Sequence, residues 1–207
     1  MEREKRKAVL YDKDIRDPLF DFLEERCGKI RIIEEKTMGR SRADVLMVTP
    51  ELIVGIEIKS DADTYARLGR QVKDYDLYFD CNYVVAGSTH AAHVHEHVPP
   101  WWGIISVELW EDKIDFYVLR EAKKNPKVVP EKKISILWRP ELSHIQQING
   151  MAKYRDKSKK FVQQKILEKV PEEILQRQIC QELFERDYTK IQEEIKAYRN
   201  ARRKTSR

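Results

Sequence analysis

The sequence predicts an α/β fold in which a mixed central sheet is flanked by helices and followed by a helical C-terminal extension. Three observations lead to this class. Short β-rich apolar segments alternate with amphipathic segments up to Arg120, as in layered α/β domains. Two of these apolar segments, residues 41–48 and 52–60, are separated by a turn at Pro50. After residue 150, helical periodicity and basic charge replace the strand pattern.

The composition permits one domain of ordinary size with a smaller appendage. The 207 residues are 41% hydrophobic and 36% charged, which allows a core beneath a strongly solvated surface. No apolar run approaches the roughly 18–20 residues that span a bilayer, and residues 1–10 lack the apolar centre of a signal peptide. We therefore expect a soluble, cytoplasmic protein without a membrane partner. The three cysteines have no metal-binding spacing and are expected to be reduced.

The first predicted helix covers residues 11–28. Asp14 or Asp17 can cap its start, Pro18 suits its first turn and Gly28 fits its end. An apolar stripe runs along this segment. The stripe predicts one buried face.

Strands and one further helix account for the next part of the chain. Apolar runs predict strands at residues 29–35, 41–48, 52–60, 81–87, 102–109 and 113–120. Helical spacing of apolar residues predicts a second helix over 63–79, and the histidine-rich segment 88–100 predicts a short helix. The last two strands are expected to form an antiparallel pair at a sheet edge.

The chain changes character after Arg120. We expect three regions, which are a first domain over 1–122, a polar linker over 123–133 and a basic helical region over 134–207. The helices predicted in the third region lie near residues 158–169, 172–186 and 189–202. Residues 151–207 carry 16 Lys and Arg against 9 Asp and Glu, whereas the preceding 150 carry 24 against 26. A polyanion partner or simple solubility would explain this basic segment.

A hairpin turn at Pro50 would bring ionisable side chains together. In the resulting register Asp44 lies opposite Glu57, and directly opposed residues share a face of the sheet. Residues two apart on a strand also share a face, so Lys59 joins the two acids. Carboxylates beside apolar surface are costly unless they bind something.

These three residues are a candidate site for a divalent metal. Asp44 and Glu57 offer the hard oxygen ligands that Mg²⁺ or Mn²⁺ prefers, and the carbonyl of Ile58 is a further oxygen ligand. Lys59 cannot bind the metal, but it can orient a water or stabilise charge that develops on a phosphate. The alternative is an ordinary ion pair of Lys59 with Asp44 or Glu57 on an exposed strand.

The hairpin resembles the core of the PD-(D/E)XK nuclease superfamily, in which an Asp begins the second strand and an E-x-K closes the third. It is most similar to a bacterial and phage branch. The matching segments are "RADVLMV", "GIEIKSD", Asp63-Thr64, Arg70-Gln71 and Pro99 to Ile104. The similarity covers about residues 11–120, and Ala43 stands where the superfamily often has Pro. The resemblance implies a restriction-endonuclease-like core, Mg²⁺- or Mn²⁺-dependent cleavage and a 5′-phosphate product.

The resemblance also implies one more acidic residue, from the first helix or the first strand. The candidates are Glu34 and Glu35 at the end of the strand, and Glu24 and Glu25 on the helix. Because neighbouring strand residues face opposite sides, only one of Glu34 and Glu35 is expected to point toward the metal. We favour Glu34 without excluding Glu35.

A residue of the second helix is implied near the scissile phosphate. Gln71 is the candidate that would act beside Lys59, while Arg70 and Tyr75 would contact nucleic acid. Arg40 and Arg42 precede Asp44 and could hold a phosphate. All of these side chains could equally be surface or packing residues.

The sequence therefore predicts a metal-dependent nuclease that hydrolyses DNA, with RNA as another substrate and homo-oligomerisation left open. A non-cleaving module that binds nucleic acid or protein on a nuclease-like fold is the alternative. The histidines of residues 90–97 predict a solvated face in preference to a zinc site. Trp101 and Trp102 predict packing in preference to base stacking.

Overall fold

The computed structural model describes residues 9–111 and 113–187. The chain divides into two compact units between Val129 and Pro130. The first unit contains a mixed six-stranded sheet with flanking helices, and the second is helical in its described part. The predicted α/β class is confirmed. In the described ranges, no helix is long and apolar enough to cross a membrane.

The first unit contains two α-helices among its described residues. Helix α1 spans Asp12–Cys27 and helix α2 spans Leu68–Tyr78. The strands are β1 (Arg31–Met38), β2 (Ser41–Val48), β3 (Ile53–Lys59), β4 (Cys81–Gly87), β5 (Gly103–Trp110) and β6 (Lys113–Arg120).

The six strands lie across the sheet in chain order. Strands β1, β2 and β3 form an antiparallel meander, β3, β4 and β5 are parallel, and β5 and β6 are antiparallel. Parallel neighbours need a crossover connection, which α2 supplies between β3 and β4. The predicted antiparallel pairing of the last two strands is confirmed. Of these two strands β6 alone lies at a sheet edge, because β5 also pairs with β4.

The hairpin of β2 and β3 has the predicted register. Four residue pairs form, beginning with Val45 opposite Ile56. The backbone pairing ends at Val45 and Ile56. At the adjacent residue of β2, Asp44, the side-chain Oδ2 accepts a hydrogen bond of 2.9 Å from the backbone N–H of Ile58. The side chain of Asp44 thus replaces a ladder bond and remains beside the end of β3.

The two helices cover opposite faces of this hairpin. The apolar side of α1 packs against one face, in a core that includes Val45 and Ile56. On the other face, α2 approaches β3 at Gly55, where an added Cβ would lie 2.2 Å from the Phe79 ring and 2.7 Å from the Tyr75 ring. Only glycine permits this approach, which holds Tyr75 against the end of the hairpin.

Helix α1 occupies the predicted segment, but neither Asp14 nor Asp17 is its N-cap residue. Its first residue is Asp12, and the side chain of Asp14 accepts a 3.1 Å hydrogen bond from the N–H of Tyr11 at the cap. Pro18 therefore lies inside the helix and not in its first turn. As a result, Asp12 and Arg16 lie one helical turn apart and form an ion pair of 2.7 Å.

A buried carboxylate on α2 anchors the start of β5. Asp76 is 3% exposed, and its Oδ1 accepts hydrogen bonds from the indole N–H of Trp102 at 2.8 Å and of Trp101 at 3.1 Å. The side-chain amide of Asn82 donates to the same oxygen at 3.3 Å. The paired tryptophans are therefore structural, as the sequence predicted, and they connect α2, β4 and β5.

Replacement of Asp76 by Ala is expected to destabilise the protein by about 2–4 kcal/mol, because buried donors would lose their acceptor. Urea unfolding followed by tryptophan fluorescence and circular dichroism measures this loss. Asp115→Ala, on an exposed position of β6, is the control and should unfold like wild type. An unfolding midpoint of Asp76→Ala equal to that of Asp115→Ala would contradict this account.

The segment 88–100 is not an α-helix, contrary to the sequence prediction. It contains turns and a 3-10 helix over Val94–Glu96. His97 stacks on Tyr65 at 4.0 Å, and the His90 ring contacts the backbone oxygen of Asp63 at 3.0 Å. These histidines therefore fix the loop that follows β3, and the described chain has no cluster of three or more metal-ligating side chains there.

The helices of the second unit are α3 (Pro130–Ile134), α4 (Arg139–Ile148), α5 (Lys159–Lys169) and α6 (Glu172–Phe184). Ser158 caps α5 by accepting a hydrogen bond from the N–H of Phe161 at 3.2 Å. The predicted helix at 189–202 lies outside the described residues. In the segment expected to be a linker, Asn125 is buried and donates to the carbonyl of Phe79, so residues 123–129 pack within the first unit.

Candidate functional site

A polar cleft of about 520 Å³ lies where the β2–β3 hairpin meets α1 and α2. Its acidic lining residues are Asp12, Glu35, Asp44, Glu57 and Asp63. Its basic lining residues are Arg16, Arg40, Arg42, Lys59, Arg67 and Arg70. This volume is typical of ligand sites in proteins, but the lining is far more charged than that of an apolar pocket.

The floor of the cleft contains a buried ion pair. Lys59 and Glu57 are 3% and 1% exposed, and Lys59 Nζ lies 2.5 Å from Glu57 Oε1. Gln71 of α2 binds both partners, donating from its amide nitrogen to Glu57 and accepting from Lys59 at 3.2 Å. The sequence also allowed an ordinary ion pair of Lys59 with Glu57 on an exposed strand. The ion pair forms, but both of its side chains are buried.

Tyr75 lies beneath this pair and fixes the second oxygen of Glu57. Its hydroxyl donates to Glu57 Oε2 at 2.7 Å and accepts from the backbone N–H of Asp44 at 3.2 Å. Burial, and next the charge of Glu57, raise the pKa of Tyr75 well above its usual value. The hydroxyl is therefore neutral and links the two strands that carry the acids.

Asp44 is held close to a second negative charge. Burial and then the charge of Glu57 raise the pKa of Asp44 to about 7, and the hydrogen bond from Ile58 and the charge of Lys59 only partly offset this rise. Its Oδ1 lies 4.0 Å from a guanidinium nitrogen of Arg16. Two carboxylates that repel each other in a shielded position would be stabilised by a divalent cation between them.

Arg16 of α1 closes one side of the cleft. Besides its pair with Asp12, its guanidinium binds Glu34 at 3.1 Å and Glu35 at 2.9 Å, and it donates to the backbone oxygen of Asp44 at 3.2 Å. Arg16 was not among the predicted site residues, although it lies within the predicted helix. Its spacing of four from Asp12 was the signal available in the sequence.

Glu34 and Glu35 do not follow the expected alternation. Glu35 has φ of 55°, which turns its side chain out of the regular strand pattern, so both carboxylates reach Arg16. Glu35 lines the cleft, whereas Glu34 does not. Our preference for Glu34 is therefore not supported by the geometry. Glu24 and Glu25 lie near the end of α1, away from the cleft lining.

The other predicted site residues separate into two groups. Asp44, Glu57, Ile58, Lys59, Gln71, Arg40, Arg42 and Arg70 all line the cleft. Tyr75 does not line it, and its side chain is fully buried. The expected contact of Tyr75 with nucleic acid is therefore excluded in this conformation, because the side chain has no exposed surface.

The few oxygen donors at the cleft floor suit Mg²⁺ or Mn²⁺, which can bind through one or two carboxylates. They would not suffice for a cation that takes all of its ligands from the protein. Among the described residues, no three His, Cys, Asp or Glu side chains are grouped to hold a metal. The available oxygens are those of Asp44 and Glu57 with the adjacent backbone of Ile58, all in the cleft lining. Mg²⁺ commonly binds through one or two carboxylates and completes its shell with water and substrate phosphate.

Replacement of Tyr75 by Phe is expected to preserve the ring packing while lowering stability by about 1–3 kcal/mol, because Glu57 and the N–H of Asp44 each lose a buried partner. Chemical denaturation measures the stability difference. Tyr117→Phe, on the exposed face of β6, provides a control that should unfold like wild type. Equal stability of Tyr75→Phe and wild type would contradict the assigned hydrogen bonds.

Comparison with known proteins identifies a family but adds little about function. The family model described as bacteriophage P4 protein cII matches residues 5–207. No curated protein matches the chain. A solved structure of Pyrococcus furiosus SfsA in complex with Ca²⁺ is similar with a TM-score of 0.36 and 14% identity, over 60% of this chain and 68% of that chain, a likeness too slight to support an argument. Because the family model spans nearly the whole sequence, the chain belongs to the bacteriophage P4 protein cII family.

Proposed function

We propose that this protein is a Mg²⁺- or Mn²⁺-dependent nuclease that hydrolyses phosphodiester bonds of DNA. The observation that carries the proposal is the arrangement of Asp44, Glu57 and Lys59 at the floor of a charged cleft. The resemblance of these residues to the PD-(D/E)XK motif points to the same chemistry. A buried cluster of this kind serves stability poorly, which favours a functional role.

The proposed metal ligands are the carboxylates of Asp44 and Glu57 and the backbone carbonyl of Ile58. When bound, the ion would supply positive charge to the phosphate that undergoes attack. Glu34 and Glu35 are left out of the direct ligand set, because the Arg16 guanidinium lies between them and Asp44. Arg16 would instead fix the position of the Asp44 backbone through its 3.2 Å hydrogen bond.

Lys59 is the proposed catalytic cation. Glu57 and Gln71 hold its Nζ, so the ammonium group is oriented before substrate binds. It would donate a hydrogen bond to the attacking water and stabilise charge on the phosphate. The water oxygen forms the new bond to phosphorus as the bond to the 3′ oxygen breaks, the water loses its proton to solvent, and the 3′ oxygen gains one. This leaves a 5′-phosphate and a 3′-hydroxyl.

The remaining predicted residues support this chemistry. Tyr75 becomes a positioning residue for Glu57 and Asp44 in place of a nucleic-acid contact. Arg40 and Arg70 would bind phosphates of the substrate. Arg42 is ion-paired to Glu35 at 2.5 Å, so any phosphate contact by Arg42 would compete with that carboxylate.

Cleavage of plasmid and short duplex DNA, single-stranded DNA and RNA tests the proposal. Wild type should cut DNA with Mg²⁺ or Mn²⁺ and be inactive with excess chelator. Glu57→Gln, purified in parallel, should be inactive and excludes a contaminating nuclease. If the protein cleaves only RNA, then RNA and not DNA is its substrate. If cleavage continues with excess chelator, the proposed metal dependence is wrong.

A non-cleaving module remains the second candidate, and one observation favours it. Both carboxylate oxygens of Glu57 already accept hydrogen bonds from Lys59, Gln71 and Tyr75. The module predicts DNA binding that is equally tight with metal and with chelator, and no cleavage of any substrate. Fluorescence anisotropy with labelled duplex DNA in both conditions separates the two candidates.

A further inference from the structure

The six cations of the cleft divide into two groups by their contacts. Arg16, Arg42 and Lys59 are bound to carboxylates. Arg40, Arg67 and Arg70 are exposed and form no hydrogen bond or ion pair within residues 9–111 and 113–187. The first group supports the site, whereas the second group is available to a ligand.

Two of the three partner-free arginines lie at the start of α2. Arg67 is the last residue of a 3-10 helix over Tyr65–Arg67 that runs directly into α2, and Arg70 lies in the first turn of α2, which contains no acidic residue. The N-terminus of a helix carries partial positive charge, so cations are unfavourable there. Arg40 lies in the turn between β1 and β2. Three guanidinium groups that have no hydrogen-bond or ion-pair partner among the described residues, all lining one cleft, are suited to bind an anionic ligand.

The cleft lacks the side chains that would recognise bases by stacking. None of the described residues that line it is aromatic, and Ile58, its one large apolar residue, is 3% exposed. Proteins that bind unpaired bases usually supply aromatic platforms. The lining therefore offers charge and hydrogen bonds to a sugar-phosphate backbone and little to a base.

We propose that Arg40, Arg67 and Arg70 bind the backbone phosphates that flank the scissile bond, and that the protein recognises its nucleic acid independently of base sequence. This inference rests on the proposed function, because it takes the cleft as the place where the strand lies. Arg67 is the residue that it adds to the site. Guanidinium groups suit this role since each can bind two phosphate oxygens at once.

Salt-dependent binding tests the role of the arginines. Labelled duplex DNA is titrated by fluorescence anisotropy in chelator, between about 50 and 200 mM salt, with wild type, Arg67→Gln, Arg70→Gln and Lys113→Gln. Each cleft variant should bind about fivefold to tenfold more weakly at 0.1 M salt and lower the slope of log K against log [salt] by about 1. Lys113 is exposed on β6, the edge strand opposite β1, so Lys113→Gln should match wild type.

An abasic oligonucleotide tests base independence. An abasic single strand should bind within about threefold of its base-containing counterpart, because a single lost stacking contact would weaken binding by about fivefold or more. Duplexes of unrelated sequence should bind alike. The inference would be overturned if Arg67→Gln had the same slope of log K against log [salt] as wild type. It would also be overturned if the abasic strand bound much more weakly than its base-containing counterpart. If wild type still cleaves DNA in that case, the proposed function survives. If wild type neither binds nor cleaves any nucleic acid, with metal or with chelator, both the inference and the proposed function are overturned.

Discussion

Asp44→Asn is expected to stabilise the metal-free protein at pH 8 by about 1–3 kcal/mol, although it should abolish cleavage. The reason is that the folded protein holds the ionised carboxyl in a shielded position beside Glu57, which raises the pKa of Asp44 to about 7. Asn keeps an oxygen that can accept from the N–H of Ile58 but carries no charge. Each unit of pKa shift corresponds to about 1.4 kcal/mol of stability. Relaxation of the protein and access of water to the carboxyl make the expected gain smaller than the whole shift would give.

The sign of the pH dependence follows from the direction of this shift. A carboxyl whose folded pKa is raised binds more protons in the folded state than in the unfolded state, so it lowers stability as pH rises. For Asp44 the loss of folding stability accumulates as the pH rises from its ordinary pKa of 3.8 to its raised pKa of about 7. Above that pH the loss no longer grows. The charges that face Asp44 are those of Glu57 and Lys59 on β3 and of Arg16 and Asp12 on α1.

Denaturant unfolding in chelator at pH 5 and pH 8 measures this difference. The advantage of Asp44→Asn over wild type should be larger at pH 8 than at pH 5. Asp115→Asn, an exposed substitution on β6, should show no such pH-dependent gain. An advantage of Asp44→Asn that does not change with pH would show that the carboxyl is not destabilised by burial and charge.

Lys59→Gln is expected to lower the rate of DNA cleavage by about 10²–10³-fold, a loss typical of removing one donor that stabilises developing charge. The substitution removes the positive charge while retaining a group that can donate to Glu57. Single-turnover cleavage of short duplex DNA measures the rate. Lys73→Gln, an exposed position on α2, is the charge-matched control and should retain wild-type activity.

The Lys59 substitution leaves Glu57 buried without its cation, so its effect on folding must be separated from its effect on chemistry. Removing one partner of a buried pair can destabilise a protein by about 3–5 kcal/mol. The double variant Glu57→Gln/Lys59→Gln removes both charges and should unfold closer to wild type than Lys59→Gln does, yet remain inactive. Near-normal cleavage by folded Lys59→Gln would exclude the catalytic role.

The part of the site that depends on strand periodicity could be predicted from the sequence. A short turn at Pro50 fixes the register of β2 and β3, and period-2 alternation then determines which side chains share a face. The grouping of Asp44, Glu57 and Lys59 at one end of the hairpin followed from these two rules. The α/β class followed similarly from apolar segments of strand length that alternate with helical spacing.

The parts that depend on conformation at single residues could not be predicted. The positive φ of Glu35 breaks the alternation that was used to choose between Glu34 and Glu35. Pro18 lies inside α1 and not in its first turn, so the first turn, with Asp12 and Arg16 one turn apart, comes from residues that precede it. In both cases tertiary contacts outweighed the local preference, since Arg16 binds Glu34, Glu35 and the backbone of Asp44.

Burial on the helix face was also beyond sequence reasoning. Helical spacing placed Tyr75 near Gln71 but did not show that Gly55 lets α2 approach β3 closely enough to bury the ring. This approach converts Tyr75 from an expected ligand contact into a hydrogen-bond partner of Glu57. A glycine within an otherwise apolar strand was the available signal, because it often marks close backbone approach.

Titration of Mn²⁺ into metal-free protein by calorimetry tests most directly whether Asp44 and Glu57 form a divalent-cation site. The account predicts a saturable binding heat for wild type at pH 8, retained in Asp115→Asn and absent in Asp44→Asn. If wild type shows no binding heat and cleaves no substrate, or if Asp44→Asn binds Mn²⁺ as tightly as wild type, the two carboxylates do not form the metal site.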